Sequence, residues 1–207
     1  MVIPYMSPLY LIILRAIFSI SIPAVALGIF HRYDAAIAAI LVVYLAWKAW
    51  TTYLRNPSRH RVTVLLFGTL LTGTLGVLAE IWGIHNGHWS YHDLPNGQTF
   101  ARWLPMAWMM GFIALYRVEE SLILRLELTS RKSKLLLVAL ISMLLPVLGE
   151  AIAINLGVWT YAWGYQLFGV PLLAIVLLVV GHLLVYMTLM HICRRYRIND
   201  TVFHVSE

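Results

Sequence analysis

Residues 75–91 read LGVLAEIWGIHNGHWSY and residues 145–161 read LPVLGEAIAINLGVWTY, and the two align without a gap at an offset of 70. Eight of the 17 positions are identical: Leu75/Leu145, Val77/Val147, Leu78/Leu148, Glu80/Glu150, Ile84/Ile154, Gly87/Gly157, Trp89/Trp159 and Tyr91/Tyr161. Each glutamate sits inside a long apolar stretch. An acid in a bilayer span is costly, so it normally faces protein or a wet cavity and marks a functional path. Two such acids, each followed by G-x-W-x-Y, predict two halves facing one site.

The rest of the composition agrees with a membrane location. Of 207 residues, 61% are hydrophobic and 12% charged, and the mean hydropathy is +0.80. Soluble domains run to about a quarter charged residues. The predicted class is an all-α integral membrane bundle of about six spans, because only helices or closed barrels satisfy their backbone groups in lipid. The expected spans are 8–30, 35–50, 62–84, 103–122, 135–156 and 168–190. They form one bundle over residues 1–207, with an N-terminal hairpin (1–61), a first repeat (62–134) and a second repeat (135–207).

The net charge of +6 does not signal nucleic-acid binding, because the basic residues gather in short loops, where they set orientation. Lys48, Arg55, Arg59 and Arg61 surround the loop after span two. Arg125, Arg131, Lys132 and Lys134 surround the loop after span four, and Arg194, Arg195 and Arg197 follow span six. The alternate loops carry only Arg32 and Arg102. This asymmetry predicts a plasma (inner) membrane protein with both termini in the cytoplasm. Arg15 interrupts the first apolar run and no basic residue precedes it, so the run does not resemble a cleaved signal peptide.

In that layout spans three and four match spans five and six in the same orientation, which is a parallel repeat about an axis along the membrane normal. Pro105 and Pro171 mark the starts of spans four and six, where the missing N–H has no intrahelical partner anyway. The 92–98 stretch (HDLPNGQ) lengthens the first copy's connection by four residues, with turn-forming chemistry.

Glu80 and Glu150 lie about five residues from the outer ends of their spans, ~8 Å below the hydrocarbon surface. A carboxylic acid kept neutral in an apolar site can serve as a general acid. The competing reading is a pair of structural acids bonded to backbone or to Asn155. Trp82, Trp89, Tyr91, Trp103 and Trp108 belong to the same end as Trp159, Tyr161, Trp163 and Tyr165. Interfacial aromatic belts occur regardless of function. Trp89, Tyr91, Trp159 and Tyr161 stand apart because they keep a fixed spacing to the glutamates, and aromatic faces attract cations. Asn155 and His85 occupy matching places after the two acids and are candidates to orient an acid or hold a water. His88 and His92 read as solvated loop residues.

His182 lies too deep to meet Glu150. Arg15, Arg117, Glu119 and Glu120 read as an ion-paired or snorkelling inner rim. Cys193 is the only cysteine, so no intramolecular disulfide or cysteine metal cluster forms. The histidines do not form a metal-ligand cluster, so no metal and no cofactor is predicted.

An acid near the outer end of a span, then G-x-W-x-Y, a short loop and a proline-initiated span resembles a carotenoid-modifying membrane family. The first copy (AEIWGIHNGHWSY, then Leu104-Pro105) resembles the small membrane lycopene cyclases, built from two related helical halves. The second (GEAIAINLGVWTYAWGYQLFGVPLLAI) also resembles carotenoid hydratases of the bacterioruberin type. The resemblance covers residues 75–120 and 145–185. It stops after the loop proline, where the cyclases carry acids and this chain has Met106-Ala107-Trp108 and Leu172-Leu173-Ala174. Only Glu80 and Glu150 carry over.

The resemblance implies an enzyme acting on a lipid-soluble isoprenoid polyene that enters from the membrane. Glu80 or Glu150 would protonate a double bond, and Trp89, Tyr91, Trp159, Tyr161 and Asn155 would line the substrate site. Cyclisation or hydration would quench the carbocation. Paired acids in a parallel repeat equally suit a non-enzymatic small proton-coupled transporter or a membrane assembly partner. Nothing in the sequence specifies an oligomeric state.

Overall fold

The computed structural model describes residues 8–55, 59–95 and 97–204. The chain's first seven residues, and Asn96 in the 92–98 extension, lie outside that set. Six helices follow one another: α1 (Leu9–Phe30), α2 (Asp34–Arg55), α3 (Arg59–His85), α4 (Leu104–Arg125), α5 (Arg131–Asn155) and α6 (Leu172–Arg195). Four short strands lie in the connections: β1 (Trp89–Tyr91), β2 (Trp159–Tyr161), β3 (Gln166–Leu167) and β4 (Val170–Pro171).

Five of the six helices are long and apolar enough to cross a membrane. The exception is α4, which carries Arg117, Glu119, Glu120 and Arg125. Its position accounts for its composition. It packs against α1, α2, α3 and α5, and Phe112, Leu115, Tyr116, Val118, Glu119, Leu122 and Ile123 are all buried. A helix enclosed by protein needs less apolar surface than one facing lipid. By contrast α2 is peripheral, with no buried residue in its most apolar window.

The four helices α3 to α6 form a ring. α3 packs on α4 and α6, and α5 packs on the same two, so the acid-bearing helices α3 and α5 sit at opposite corners. α1 covers the α4–α5 side and α2 lies on α4 and α3. Short connections make successive helices antiparallel. The loops at 31–33, 86–103 and 156–171 therefore gather at one end, here called the hairpin end. Residues 126–130 and 196–204 gather at the other.

Both acid-bearing helices stop in the same way. At α3, Gly87 N–H donates to the Ile84 carbonyl (3.0 Å) and His88 N–H to Gly83 (2.8 Å). At α5, Gly157 N–H donates to Ile154 (2.9 Å) and Val158 N–H to Ala153 (3.1 Å). This is the Schellman closure, which requires a left-handed residue after the helix. Gly87 (φ 68°) and Gly157 (φ 81°) supply it. The chain then turns straight into β1 and β2, which pair antiparallel with Trp89 opposite Tyr161, Ser90 opposite Thr160 and Tyr91 opposite Trp159. The pairing continues at both ends through His92 N–H to Val158 O (2.9 Å) and Ala162 N–H to His88 O (2.8 Å).

The sixth helix starts later than the sequence predicts. Residues 166–171 form the β3–β4 hairpin, with Gln166 opposite Pro171 and Leu167 opposite Val170. Phe168 (φ 52°) and Gly169 (φ 87°) are both left-handed, as a two-residue type I′ turn requires. Pro171 is thus the residue before α6 rather than inside its first turn, whereas Pro105 does lie in the first turn of α4. The longer first connection is tied to the α1–α2 turn. Buried Asp34 accepts Arg102 N–H (2.7 Å) and the Gln98 amide (3.2 Å). Asp93 accepts Arg32 Nε (2.9 Å) and meets His31 Nε2 (3.3 Å). The Arg32 hydrogen bond, followed by its charge, lowers the Asp93 pKa from the ordinary aspartate value.

A left-handed alanine costs about 1–2 kcal/mol, so Gly157→Ala lowers stability by that amount in reversible unfolding from mixed micelles. Gly164→Ala, with no atom near the added methyl and no left-handed φ, leaves the midpoint unchanged.

Candidate functional site

Side chains two apart on a strand point to the same face. In β1 and β2 that places Trp89, Tyr91, Trp159 and Tyr161 on one face of the ribbon, half-buried, with Ser90 and Thr160 exposed on the other. The aromatic face looks down on the ends of α3 and α5, where the glutamates are. Tyr91 Oη donates to Glu80 Oε2 (3.0 Å) and Tyr161 Oη donates to Glu150 Oε2 (2.9 Å). The sequence-predicted acids and aromatics are therefore brought together, each tyrosine bonding the glutamate eleven positions before it.

The cross-strand neighbours also touch. Trp89 meets Tyr161 edge-on at 5.5 Å between ring centres, and Tyr91 meets Trp159 at 5.6 Å. Trp163 stacks on Tyr161 (5.9 Å) and meets Trp89 edge-on (5.6 Å). Burial raises both phenol pKa values well above the ordinary tyrosine range, and the adjacent glutamate charge adds to it. Tyr91 and Tyr161 therefore remain hydrogen-bond donors at any physiological pH.

The two acids differ in their surroundings. Glu80 is buried at 7% exposure and also receives Trp89 Nε1 (2.8 Å, on Oε2) and Trp108 Nε1 (3.3 Å, on Oε1). Glu150 is partly exposed, and among the described residues its second oxygen accepts no hydrogen bond. Glycines make room for the first arrangement. A methyl at Gly83 would overlap the Trp89 ring, and one at Gly76 would overlap Trp108. The matching positions in the second copy are Ala153 and Pro146, and the counterpart of Trp108, counted from the loop prolines, is Ala174.

Asn155 is placed differently from its sequence-based role. Its amide donates to the Ala151 carbonyl (2.7 Å) and to Phe168 O (3.1 Å). That ties the β3–β4 turn to the end of α5 rather than orienting Glu150. His85 is exposed on the last turn of α3. His88 is not solvated as expected: it is half-buried between Trp82 (4.7 Å) and Trp163 (4.9 Å), and its Nδ1 accepts Trp163 Nε1 (3.1 Å). Trp108 is the residue whose role the spacing did not reveal, because it reaches Glu80 from another helix.

The expected inner rim is also rearranged. Glu119 is buried, at 1% exposure, and pairs with His182 (Oε1 to Nε2, 2.7 Å) in the middle of the bundle. Glu120 pairs with Arg61, which also donates to Tyr116 Oη (2.8 Å), and Tyr116 in turn donates to buried Asp200 (2.9 Å). Arg15 and Arg117 are exposed.

No protein-family model, curated protein or solved structure matches this chain.

Two outcomes test the hydrogen bonding. Tyr161→Phe shifts the carboxyl infrared band assigned by Glu150→Gln and leaves the Glu80 band in place. Gly83→Ala displaces Trp89 and lowers stability by about 1–3 kcal/mol, the usual cost of overpacking.

Proposed function

We propose that the chain is a membrane enzyme that protonates a double bond of a carotenoid or related isoprenoid polyene. The observation that carries this reading is the pair of carboxyl groups beneath one face of the aromatic ribbon. An acid in a low-dielectric site with π faces alongside can give a proton to an alkene and stabilise the carbocation that results. The resemblance of both copies to carotenoid cyclases and hydratases points to the same substrate class. The symmetric register of β1 with β2, and the matched ends of α3 and α5, support reading the two helix pairs as a parallel internal repeat. The basic loops support cytoplasmic termini in a plasma membrane.

Within this reading Glu150 is the proton donor. One oxygen is oriented by Tyr161 and the other accepts no hydrogen bond among the described residues, which leaves it for a lipid-borne polyene. Glu80, with donors on both oxygens, is held in place and lends negative charge near the developing cation. The electrons of the double bond take the proton, leaving a cation on the adjacent carbon. Attack by a second double bond followed by proton loss gives a ring and an unchanged mass. Attack by water followed by proton loss adds one water.

A second reading has its own observation. Glu150 and Glu80 lie near the hairpin end, and Glu119–His182 with the adjoining Arg61–Glu120–Asp200 group form a second set of titratable groups further from it. Such an arrangement suits a small proton-coupled transporter.

The test uses cells supplied with acyclic carotenoids and expressing the chain, with products read by chromatography and mass detection. The wild type yields an isomer of unchanged mass or a product heavier by one water. Glu150→Gln loses that product about 10²-fold or more, as expected for a general acid, and Glu80→Gln loses less. Unchanged pigments from well-expressed protein, together with proton uptake in liposomes that Glu119→Gln abolishes, would replace the enzyme with the transporter.

A further inference from the structure

The end of the bundle away from the acids holds a recess of about 710 Å³, within the size range of small-ligand sites. Arg131, Arg194, Arg197, His191 and His204 line it, and no carboxylate does among the described residues. Three elements converge there: the start of α5, the last turns of α6 and the segment that follows. Met187, Met190, His191 and Arg194 fall on one stripe of α6 at helical spacing, the methionines further from the helix end and the cationic residues nearer to it. Phe203 and Cys193 complete the apolar side.

The nearby acid is turned away. Asp200 is buried at 1% exposure. Its Oδ1 accepts Val202 N–H (2.9 Å) and Phe203 N–H (3.2 Å), and its Oδ2 accepts Tyr116 Oη (2.9 Å) and lies 3.5 Å from Arg61 Nε. The segment is held in place by Lys134 Nζ on the Thr201 (2.8 Å) and His204 (2.6 Å) carbonyls and by Tyr186 Oη on Val202 O (2.8 Å). The recess is thus walled by a pinned segment in which Asp200, the acid among its described residues, is turned inside. Basic loops that merely set orientation have no need to converge on a cavity with an apolar wall.

Arg197 adds a separate point. It closes α6 as Gly87 and Gly157 close α3 and α5: Ile198 N–H donates to Cys193 O (2.8 Å) and Arg197 N–H to Arg194 O (3.4 Å). Its φ is 52°, the left-handed conformation in which glycine is the default.

We propose that this recess binds the phosphate headgroup of a membrane lipid. Arg131 and Arg197 would take the phosphate oxygens, as guanidinium groups do in bidentate fashion, and the methionine stripe would receive the start of the lipid chain. Basic pockets between membrane helices bind anionic headgroups by the same physics.

The test measures lipid retention by the full-length protein in detergent micelles by native mass spectrometry. The probes are dioleoyl phosphatidic acid, dioleoyl phosphatidylcholine and inorganic phosphate. Phosphatidic acid is expected to be retained in preference to phosphatidylcholine. Each arginine removed should weaken retention about five-fold, from the usual contribution of one basic residue near an anionic surface. Arg197→Gly is the decisive variant, since glycine suits that backbone and the fold is kept; Arg131→Gln should lose about five-fold by the same increment. Lys132→Gln, at the same end but outside the recess, should change nothing. Equal retention of the two lipids, or unchanged retention in Arg197→Gly, would overturn the proposal. So would a loss in Lys132→Gln as large as in Arg197→Gly, which would assign the effect to diffuse surface charge. Displacement of phosphatidic acid by an equal concentration of inorganic phosphate would assign the recess to free phosphate and also overturn the lipid assignment.

Discussion

A carboxyl group taken out of water must be given hydrogen-bond partners, and in lipid the chain itself has to supply them. The architecture of the hairpin end follows from that requirement at Glu80 and Glu150. A helix cannot easily fold back on its own acid, so each of α3 and α5 ends in a glycine closure and returns as a strand. The strand's two-residue period then aims both aromatics of W-x-Y at the helix end. A single three-residue strand has nowhere to place its backbone groups. The two strands solve this by pairing with each other, and that joins the first helix pair to the second. Acid satisfaction, helix termination and assembly of the two halves thus become one structural problem with one solution.

The same constraint explains the middle of the bundle. α4 has too many charged residues to face lipid comfortably, and it is enclosed by four other helices. Glu119 is tolerated because His182 reaches it from α6, and the pair is removed from both lipid and water. Removing either partner of a buried pair leaves the other uncompensated, which is why such pairs are costly to break. On either side of Glu119 in the chain, Tyr116 and Glu120 meet Arg61, and Asp200 joins them from the C-terminal segment. The polar residues of α4 are therefore internal connections, each made to a different element.

Much of this was legible in the chain. The apolar runs located six helices, and the offset of 70 picked out the acids and the four aromatics of the ribbon beside them. The parts that were not legible have physical reasons. W-x-Y is too short for a strand to declare itself by alternation, and its partner lies 70 residues away. The apolar sequence FGVPLLAI reads as one span, but the left-handed turn at Phe168–Gly169 takes its first residues into a hairpin. Glu119 and Glu120 read together as part of one inner rim, because adjacent helical positions carry no sign that one points inward. His88 looked like a loop residue because nothing in its neighbourhood announces that Trp163 will cover it. Trp108 reaches Glu80 from a helix whose facing is set by tertiary packing.

The shared motif does not make the acids equivalent, and small residues decide the difference. Gly83 leaves the space in which the Trp89 ring lies against α3, so its indole N–H can reach Glu80. Ala153 stands at that place in α5, and Trp159 makes no bond to Glu150. Gly76 leaves space for Trp108, whereas Ala174 offers the second copy no indole at all. The first acid thereby gains two donors beyond its tyrosine and becomes buried; the second keeps its tyrosine alone and is less completely enclosed. An oriented carboxyl that is less enclosed is the arrangement a proton donor needs, and a carboxyl with donors on both oxygens suits fixed charge. A duplicated motif can in this way supply two chemical roles from one repeated geometry, with the division made by which helix positions lack a side chain.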